Sequence, residues 1–322
     1  MPTIAPQTVS FIVPTYRRQD VLKTCLAHLG EMRRLREVVV EILVYDNGLP
    51  DGSQHVVDAF KEELPIRYKA NVAGHGLGYS LCRGASEVSG DIVVELNDDA
   101  LVPPDFLERI TTLFGCDSKI GVIGVRAIED GYLSEGDSIG VIDSATQSVR
   151  GNFNQDTDQP IDVEHVYGFC YAYRREILER GATHDSILLA QDYSSGNRIE
   201  TDHCLSARRL GYRVVYDGSI AVKHLAKPRR DMDERSLKWR LNHWRNTLYL
   251  YLKHFGLFGR NAIAFRFAMH DLGLVSLIRQ PNKSNWLYFF TGLKARASAV
   301  RHWVIYLISP RIWKPLEETK QS

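Results

Sequence analysis

Over the first third of the chain, short β-branched runs alternate with stretches of helical spacing, and this alternation constrains the fold more than any other feature. Thr8–Pro14 (TVSFIVP) and Val38–Tyr45 (VVVEILVY) are almost continuously apolar and end in turn residues, as parallel strands buried on both faces do. Between them Val21, Leu22, Cys25, Leu26 and Leu29 recur at helical spacing. Ile66–Lys69 predicts a third strand and Asp91–Leu96 (DIVVEL) a fourth. A helix is expected from about Pro103, with Phe106, Ile110 and Leu113 facing inward, and further strands at Gly121–Ala127 and His165–Tyr173. The pattern implies an α/β fold with a mostly parallel central sheet flanked by helices. Ligands of such sheets sit outside the carboxyl ends of the strands, so the residues just after each strand are the ones to inspect.

The rest of the chain divides by character. Residues 131–159 and 182–197 are rich in small polar residues and read as irregular excursions, with Ser194-Ser195-Gly196-Asn197 suggesting mobility. After Asp231 three long helical patterns follow, at Leu237–Phe255, Asn261–Ile278 and Trp286–Ile308. This divides the chain into a catalytic body at residues 1–230 and a helical C-terminal region at 231–322. The net charge of +1 conceals an asymmetry: residues 226–322 carry 18 Lys and Arg against 6 Asp and Glu, whereas residues 1–225 carry 22 against 33. The basic tail is either a set of solvated helix faces or a surface with its own partner. Its aromatics, among them Trp239, Trp244, Tyr249, Tyr251, Trp286 and Trp303, suit core or subunit packing in a homo-oligomer, or contact with a membrane surface. No nucleic-acid-binding motif accompanies them, so nucleic acid is not an expected partner.

Five cysteines without paired spacing fit reduced thiols better than a disulfide framework or a zinc site. The N-terminus has no basic segment leading into an apolar one, and no stretch approaches the ~18 apolar residues of a spanning helix. The expected location is cytoplasmic, either free or peripheral on the cytoplasmic face of a membrane.

Polar segments follow the predicted strands where the sheet rule places ligands. Pro14-Thr15-Tyr16-Arg17 follows the first, Asp46-Asn47-Gly48 the second and Asn97-Asp98-Asp99 the fourth, while Glu200-Thr201-Asp202 opens a later helix. Adjacent aspartates after a buried strand repel unless something neutralises them, and a hard divalent cation shared with phosphate oxygens would do so. Asp98-Asp99 before Pro103-Pro104 also fits a turn and helix cap, and Asp46-Asn47-Gly48 fits a simple turn. Gly74-His75-Gly76-Leu77-Gly78 lacks the strand and complete G-x-G-x-x-G of a dinucleotide-binding turn.

Taken in order, FIVPTYRR, YDNG, ELNDDA, the Gly168 segment running to Arg174-Arg175-Glu176, Glu200-Thr201-Asp202, Val222-Lys223-His224 and HWRNTLYLYLKHFG resemble family 2 inverting glycosyltransferases with the GT-A fold. They are most similar to bacterial enzymes that transfer rhamnose, galactofuranose and related sugars in cell-envelope polysaccharide biosynthesis. The resemblance spans about Val9 to His254. It implies a nucleotide-sugar pocket built from Pro14, Thr15, Tyr16, Arg17, Asp46, Gly76, Arg83, Asn97 and Asp98, with Asp46 accepting from uracil or thymine. It implies a Mg²⁺ or Mn²⁺ ion at Asp99 with Asp98 and His224, His224 being equally at home as a structural residue. The family's base lies in an E-D-x-D segment, onto which Glu200 and Asp202 fall, Glu200 replacing the usual Asp. Either is the candidate base, and both also suit the first turn of a helix. Cys82 stands where the family often has Asn. The implied donor is a UDP- or dTDP-sugar and the acceptor a glycan or lipid-linked hydroxyl. The alternatives are a sugar nucleotidyltransferase, which would need a glycine-rich loop where PTYRRQD stands, and a non-catalytic sugar- or nucleotide-binding module.

Overall fold

The computed structural model describes residues 7–48, 51–71, 76–131, 136–185, 188, 198–225, 237–270 and 274–308. The Gly74-His75 pair, residues 194–197 and the expected division at residue 230 lie outside them. In chain order the first elements are β1 (Gln7–Thr15), α1 (Gln19–Glu31), β2 (Val38–Asp46), α2 (Ser53–Asp58), β3 (Ile66–Ala70), α3 (Gly76–Glu87) and β4 (Ile92–Leu96). There follow β5 (Ala100–Leu101), α4 (Phe106–Cys116), β6 (Ile120–Ile128), β7 (Val141–Asp143), β8 (Ser148–Arg150) and β9 (Ile161–Asp162). The remainder is β10 (Cys170–Arg174), α5 (Arg175–Glu179), α6 (Ile199–Arg209), β11 (Arg213–His224), α7 (Leu237–Phe255), α8 (Gly259–Met269), α9 (Leu274–Arg279) and α10 (Lys283–Ile308).

The main sheet runs β3-β2-β1-β4-β10-β6-β11-β5, with β9 also on β11. Strands β1 to β4 are mutually parallel, as their apolar runs predict, and β6 pairs parallel with β11. β10 enters between β4 and β6 and is antiparallel to both, and the short β5 and β9 pair antiparallel with β11. The expected strand at His165–Tyr173 therefore begins only at Cys170. Alternate residues serve opposite layers. Val9, Phe11 and Val13 face the α1 and α4 side, while Ile12, Leu43 and Val93 pack on the α3 and α6 side.

Arg174 and Arg175 hold the ends of neighbouring elements. Arg174 donates to the carbonyls of Ile120 (2.7 Å) and Phe114 (2.5 Å), and Arg175 donates to that of Gly90 (2.8 Å). Carbonyls at the end of a helix lack internal partners, and a guanidinium fork supplies several donors at once.

Two expectations change. Residues 131–159 are not wholly irregular, because β7 and β8 form an antiparallel hairpin. The helix expected over Asn261–Ile278 is broken into α8 and α9. Arg260, Asn261 and Ala262 all take left-handed φ at its start, while Arg260 is drawn to Glu164 and to the carbonyl of Ile142 at 2.8 Å. All five cysteines are free thiols. Among the described residues no helix is long and apolar enough to cross a membrane.

The tail joins the body through buried charge. Asp202 on α6 is fully enclosed and meets Lys253 Nζ at 2.9 Å and His254 Nε2 at 2.7 Å, both from α7. Lys253 also donates to Asp185 at 2.7 Å, which in turn accepts from Tyr249 at 2.8 Å. Around this knot Tyr249, Tyr251 and Leu252 pack with Ile199 and Leu205. Removing one partner of a buried ion pair leaves an uncompensated charge, so Lys253→Met is expected to cost about 3–5 kcal/mol. Urea unfolding measures it; a loss under about 1 kcal/mol would mean that His254 alone satisfies Asp202.

Candidate active site

The site forms where β1 and β4 end side by side. Val9 to Ile12 of β1 pair with Ile92 to Glu95 of β4, so Thr15 and Asp98 emerge from adjacent strands. Thr15 Oγ1 donates to Asp98 Oδ2 at 2.8 Å, bridging the two exits. After Asn97 the chain turns sharply, with the Ala100 N–H on the Asn97 carbonyl, and enters β5. Because β5 pairs antiparallel with the end of β11, His224 falls beside Ala100, and the Leu225 N–H donates to the Asp99 carbonyl at 2.8 Å. A residue some 125 positions away is thus registered by backbone pairing against the two aspartates.

Arg18 covers both carboxylates. Its Nη1 donates to Asp99 Oδ2 at 2.8 Å and its Nη2 reaches Asp98 Oδ1. His224 Nε2 lies 3.3 Å from Asp99 Oδ1, and its Nδ1 is 3.0 Å from Glu129 Oε2. Burial raises the Asp98 carboxyl to about 6, despite Arg18 and the Thr15 hydroxyl. Burial also works against Asp99, but His224 and Arg18 outweigh it and hold that group below the usual carboxylate range. For His224, burial is overcome by Asp99 and Glu129, so the imidazole is more basic than usual.

The donor set suits a hard cation in one respect. Asp99 Oδ1 is buried without a hydrogen-bond partner and lies next to the His224 ring nitrogen. Among the described residues no three His, Cys, Asp or Glu side chains converge as a complete cage. Mg²⁺-type sites need none, since one or two carboxylates and substrate phosphates suffice.

The expected nucleotide-side residues divide. Asp46 is enclosed at the end of β2, its Oδ1 accepting from the Gly48 N–H (2.8 Å) and its Oδ2 from the Tyr68 hydroxyl (2.7 Å). Burial raises its pKa. Next to it Asn47 Oδ1 accepts from Asn71 and Ser80, tying the β2 and β3 exits to α3. Gly76 opens α3 with φ of 77°, a conformation glycine adopts without strain. Pro14 is buried in β1 and Asn97 sits at the turn, its N–H on the Phe169 carbonyl. Two residues stand apart from the aspartates: Arg17 turns outward over the Tyr16 ring, and Arg83 faces Glu87 at 3.8 Å.

The two candidate bases meet different surroundings. Glu200, half-buried in the first turn of α6, lays its carboxyl over Gly168, where a Cβ would stand 3.2 Å from Oε2. Gly168 precedes Phe169, whose carbonyl holds Asn97, so Glu200 lies close to the aspartate turn. Burial raises the Glu200 carboxyl, and Glu95 adds to the rise against Arg198. Asp202 is held by Lys253 and His254; although burial opposes ionisation, those partners keep its pKa far below the usual range.

Several residues of this region carry no sequence signal of their own. Arg18 is one of two adjacent arginines; it turns inward to the aspartates, while Arg17, at a left-handed φ, turns over the Tyr16 ring. Beneath the site Glu95 bonds His184 (2.7 Å), Tyr171 (2.6 Å) and Tyr173 (3.1 Å), a closed network around a single carboxylate.

A sequence model described as Glycosyl transferase family 2 matches residues 10–181. A dolichol-phosphate mannosyltransferase of Pyrococcus furiosus is 27% identical over 123 residues, covering 38% of this chain and 34% of that protein. An undecaprenyl-phosphate 4-deoxy-4-formamido-L-arabinose transferase of Yersinia enterocolitica is 26% identical over 175 residues, covering 53% and 50%. The chain thus spans half or less of the length of these relatives. Among solved structures, mannosyltransferase PcManGT from Pyrobaculum calidifontis, in complex with GDP-Man and Mn²⁺, superposes with a TM-score of 0.55 at 16% identity, over 97% of this chain and 89% of that one. TarS 1–349 of S. aureus in complex with UDP-GlcNAc gives 0.56 at 12% identity, over 95% and 93%. At such identities the likeness establishes the fold.

The charge balance has a pH signature. A carboxyl raised from 3.8 to about 6 on folding makes the folded state bind more protons, so stability falls as pH rises across that interval, by up to about 3 kcal/mol for Asp98. His224 acts in the same sense at higher pH: its contribution is complete below about 6.5 and is lost as pH rises through its elevated pKa. Asp98→Asn is expected to flatten the decline between about pH 4 and 6 in thermal unfolding, and parallel profiles would assign it to other groups.

Proposed function

Since this chain belongs to glycosyl transferase family 2, we propose that it moves one sugar, with inversion, from a nucleoside diphosphate to a hydroxyl of a glycan or lipid-linked acceptor. The family match and the GT-A fold favour this reading over the nucleotidyltransferase and the non-catalytic module. The observation that carries the proposal is the Asp98-Asp99 turn, with Thr15, Arg18 and His224 around it and Glu200 close by over Gly168. The donor is read as a UDP- or dTDP-sugar. Asp46, backed by Tyr68 and Gly48, is the group expected to accept from the base. Residues 1–230 form the catalytic body. Residues 231–322 provide acceptor or membrane contact, with the protein at the cytoplasmic face.

Glu200 is the base in this reading. Its carboxylate takes the acceptor hydroxyl's proton as the oxygen bonds to the anomeric carbon, and the nucleoside diphosphate leaves with the electrons of the broken bond. A carboxyl raised by burial is a better proton acceptor than Asp202, which Lys253 and His254 hold ionised. Asp99 and His224, with Asp98 beside them, would hold Mg²⁺ or Mn²⁺, which when bound supplies Lewis-acid stabilisation of the diphosphate charge. Arg18, half-exposed and forked, neutralises the aspartates from the other side and presents further donors to phosphate oxygens.

Glu200→Gln is expected to retain donor binding while transfer falls ~10²- to 10⁴-fold, the usual worth of a general base. Transfer at the parental rate would move the base elsewhere. A thermal-shift screen of UDP-, dTDP-, GDP- and CMP-sugars, each with and without Mn²⁺ or Mg²⁺, should show one metal-dependent stabilisation that Asp99→Ala abolishes. A full shift in that variant would sink the metal assignment.

A further inference from the structure

The 26-residue helix α10 uses its two sides differently. Toward α7 it turns Gly292, Ala295 and Ala299, whose small side chains allow close approach. The opposite side carries Trp286, Leu287, Phe290, Leu293, Val304 and Ile308, all exposed, Phe290 by 56% and Ile308 by 79%. At 100° per residue these fall within one arc of about 120°, and exposed Lys283, Lys294 and Arg301 lie inside that arc, between Phe290 and Leu287. The Trp286 and Phe290 rings stack at 5.5 Å within the stripe and are still open to solvent. An apolar stripe of this length on a soluble surface marks an interaction site.

We propose that this face of α10 docks the protein on an anionic lipid bilayer. Three observations favour lipid over a second copy of the chain. Lys294 and Arg301 lie within the apolar face, and a two-fold contact of the face with itself would bring like charges together. The segment from Ala226 onward carries an excess of twelve positive charges, complementary to anionic headgroups. Aromatic and aliphatic side chains beside basic ones match the boundary between headgroups and acyl chains, and no described helix is built to span. The apolar residues enter the acyl boundary while Lys283, Lys294 and Arg301 reach the phosphates. This surface deepens the lipid-linked alternative of the proposed acceptor and rests on that reading for its purpose, but its test reads binding alone.

The experiment is flotation of the full chain with phosphatidylglycerol/phosphatidylcholine vesicles and with phosphatidylcholine vesicles. The parent is expected to float with the anionic vesicles and to bind the neutral ones at least tenfold less. Phe290→Glu with Val304→Glu should abolish flotation. Lys294→Glu with Arg301→Glu should weaken it at least ~tenfold, at about fivefold per basic side chain, and lessen its salt dependence. The charge-reversal pair alters no packed residue, so it decides the question if the apolar pair fails to fold by circular dichroism. Failure of the parent to float, or equal flotation of the charge-reversal pair, overturns the proposal. So does a dimer in sedimentation equilibrium that Phe290→Glu dissociates. A donor-induced thermal shift retained in both variants separates loss of docking from failure of the transferase reading.

Discussion

Two neighbouring carboxylates buried at the end of a parallel strand set the terms for the rest of this structure. Asp98 and Asp99 are almost wholly removed from water, and desolvation pushes both toward the protonated form. The fold answers with three groups from two separate places. Thr15 and Arg18 come from the exit of β1, and His224 from the end of β11, delivered by the short antiparallel pairing with β5. The compensation is unequal. Asp99, with both cations, stays firmly ionised, while Asp98 remains hard to ionise. A charge stored at such cost is what a diphosphate with its counter-ion can relieve, so electrostatic tension and ligand affinity have the same source.

A second knot of buried charge ties the tail to the first. Asp202 lies two residues after Glu200 on the same helical turn, and its partners Lys253 and His254 belong to α7. The start of α6 is therefore anchored from below by an ion pair and faces Gly168 from above. Holding a flexible carboxylate in place requires a rigid support, and here the C-terminal helices provide one. Glu95 and its ring of His184, Tyr171 and Tyr173 stiffen β4 and β10 just beneath the aspartate turn.

The strands that carry the site were legible because parallel strands buried on both faces must be apolar at nearly every position, and few other structures are. The carboxylates after them were legible because such sheets bind ligands at those ends. What escaped depends on contacts distant in sequence. Nothing local marks β10 as antiparallel, since its run of apolar residues resembles its neighbours'. The kink at Arg260–Ala262, at the start of α8, lies where Arg260 pairs with Glu164, almost a hundred positions earlier. Arg17 and Arg18 are chemically identical, and only the folded backbone distinguishes the one that meets the aspartates. The conformation of a turn is set by what it packs against, and the sequence states that only indirectly.

The substitution of Glu for the usual Asp at position 200 has a physical reading in Gly168. A Cβ there would stand 3.2–3.3 Å from three atoms of the Glu200 side chain, a fit that leaves the longer carboxylate just enough room. With glycine at 168 the side chain can lie flat over the backbone, where a bulkier residue would crowd the carboxyl. Glycine at 168 is therefore what leaves Glu200, the proposed base, its room over the backbone.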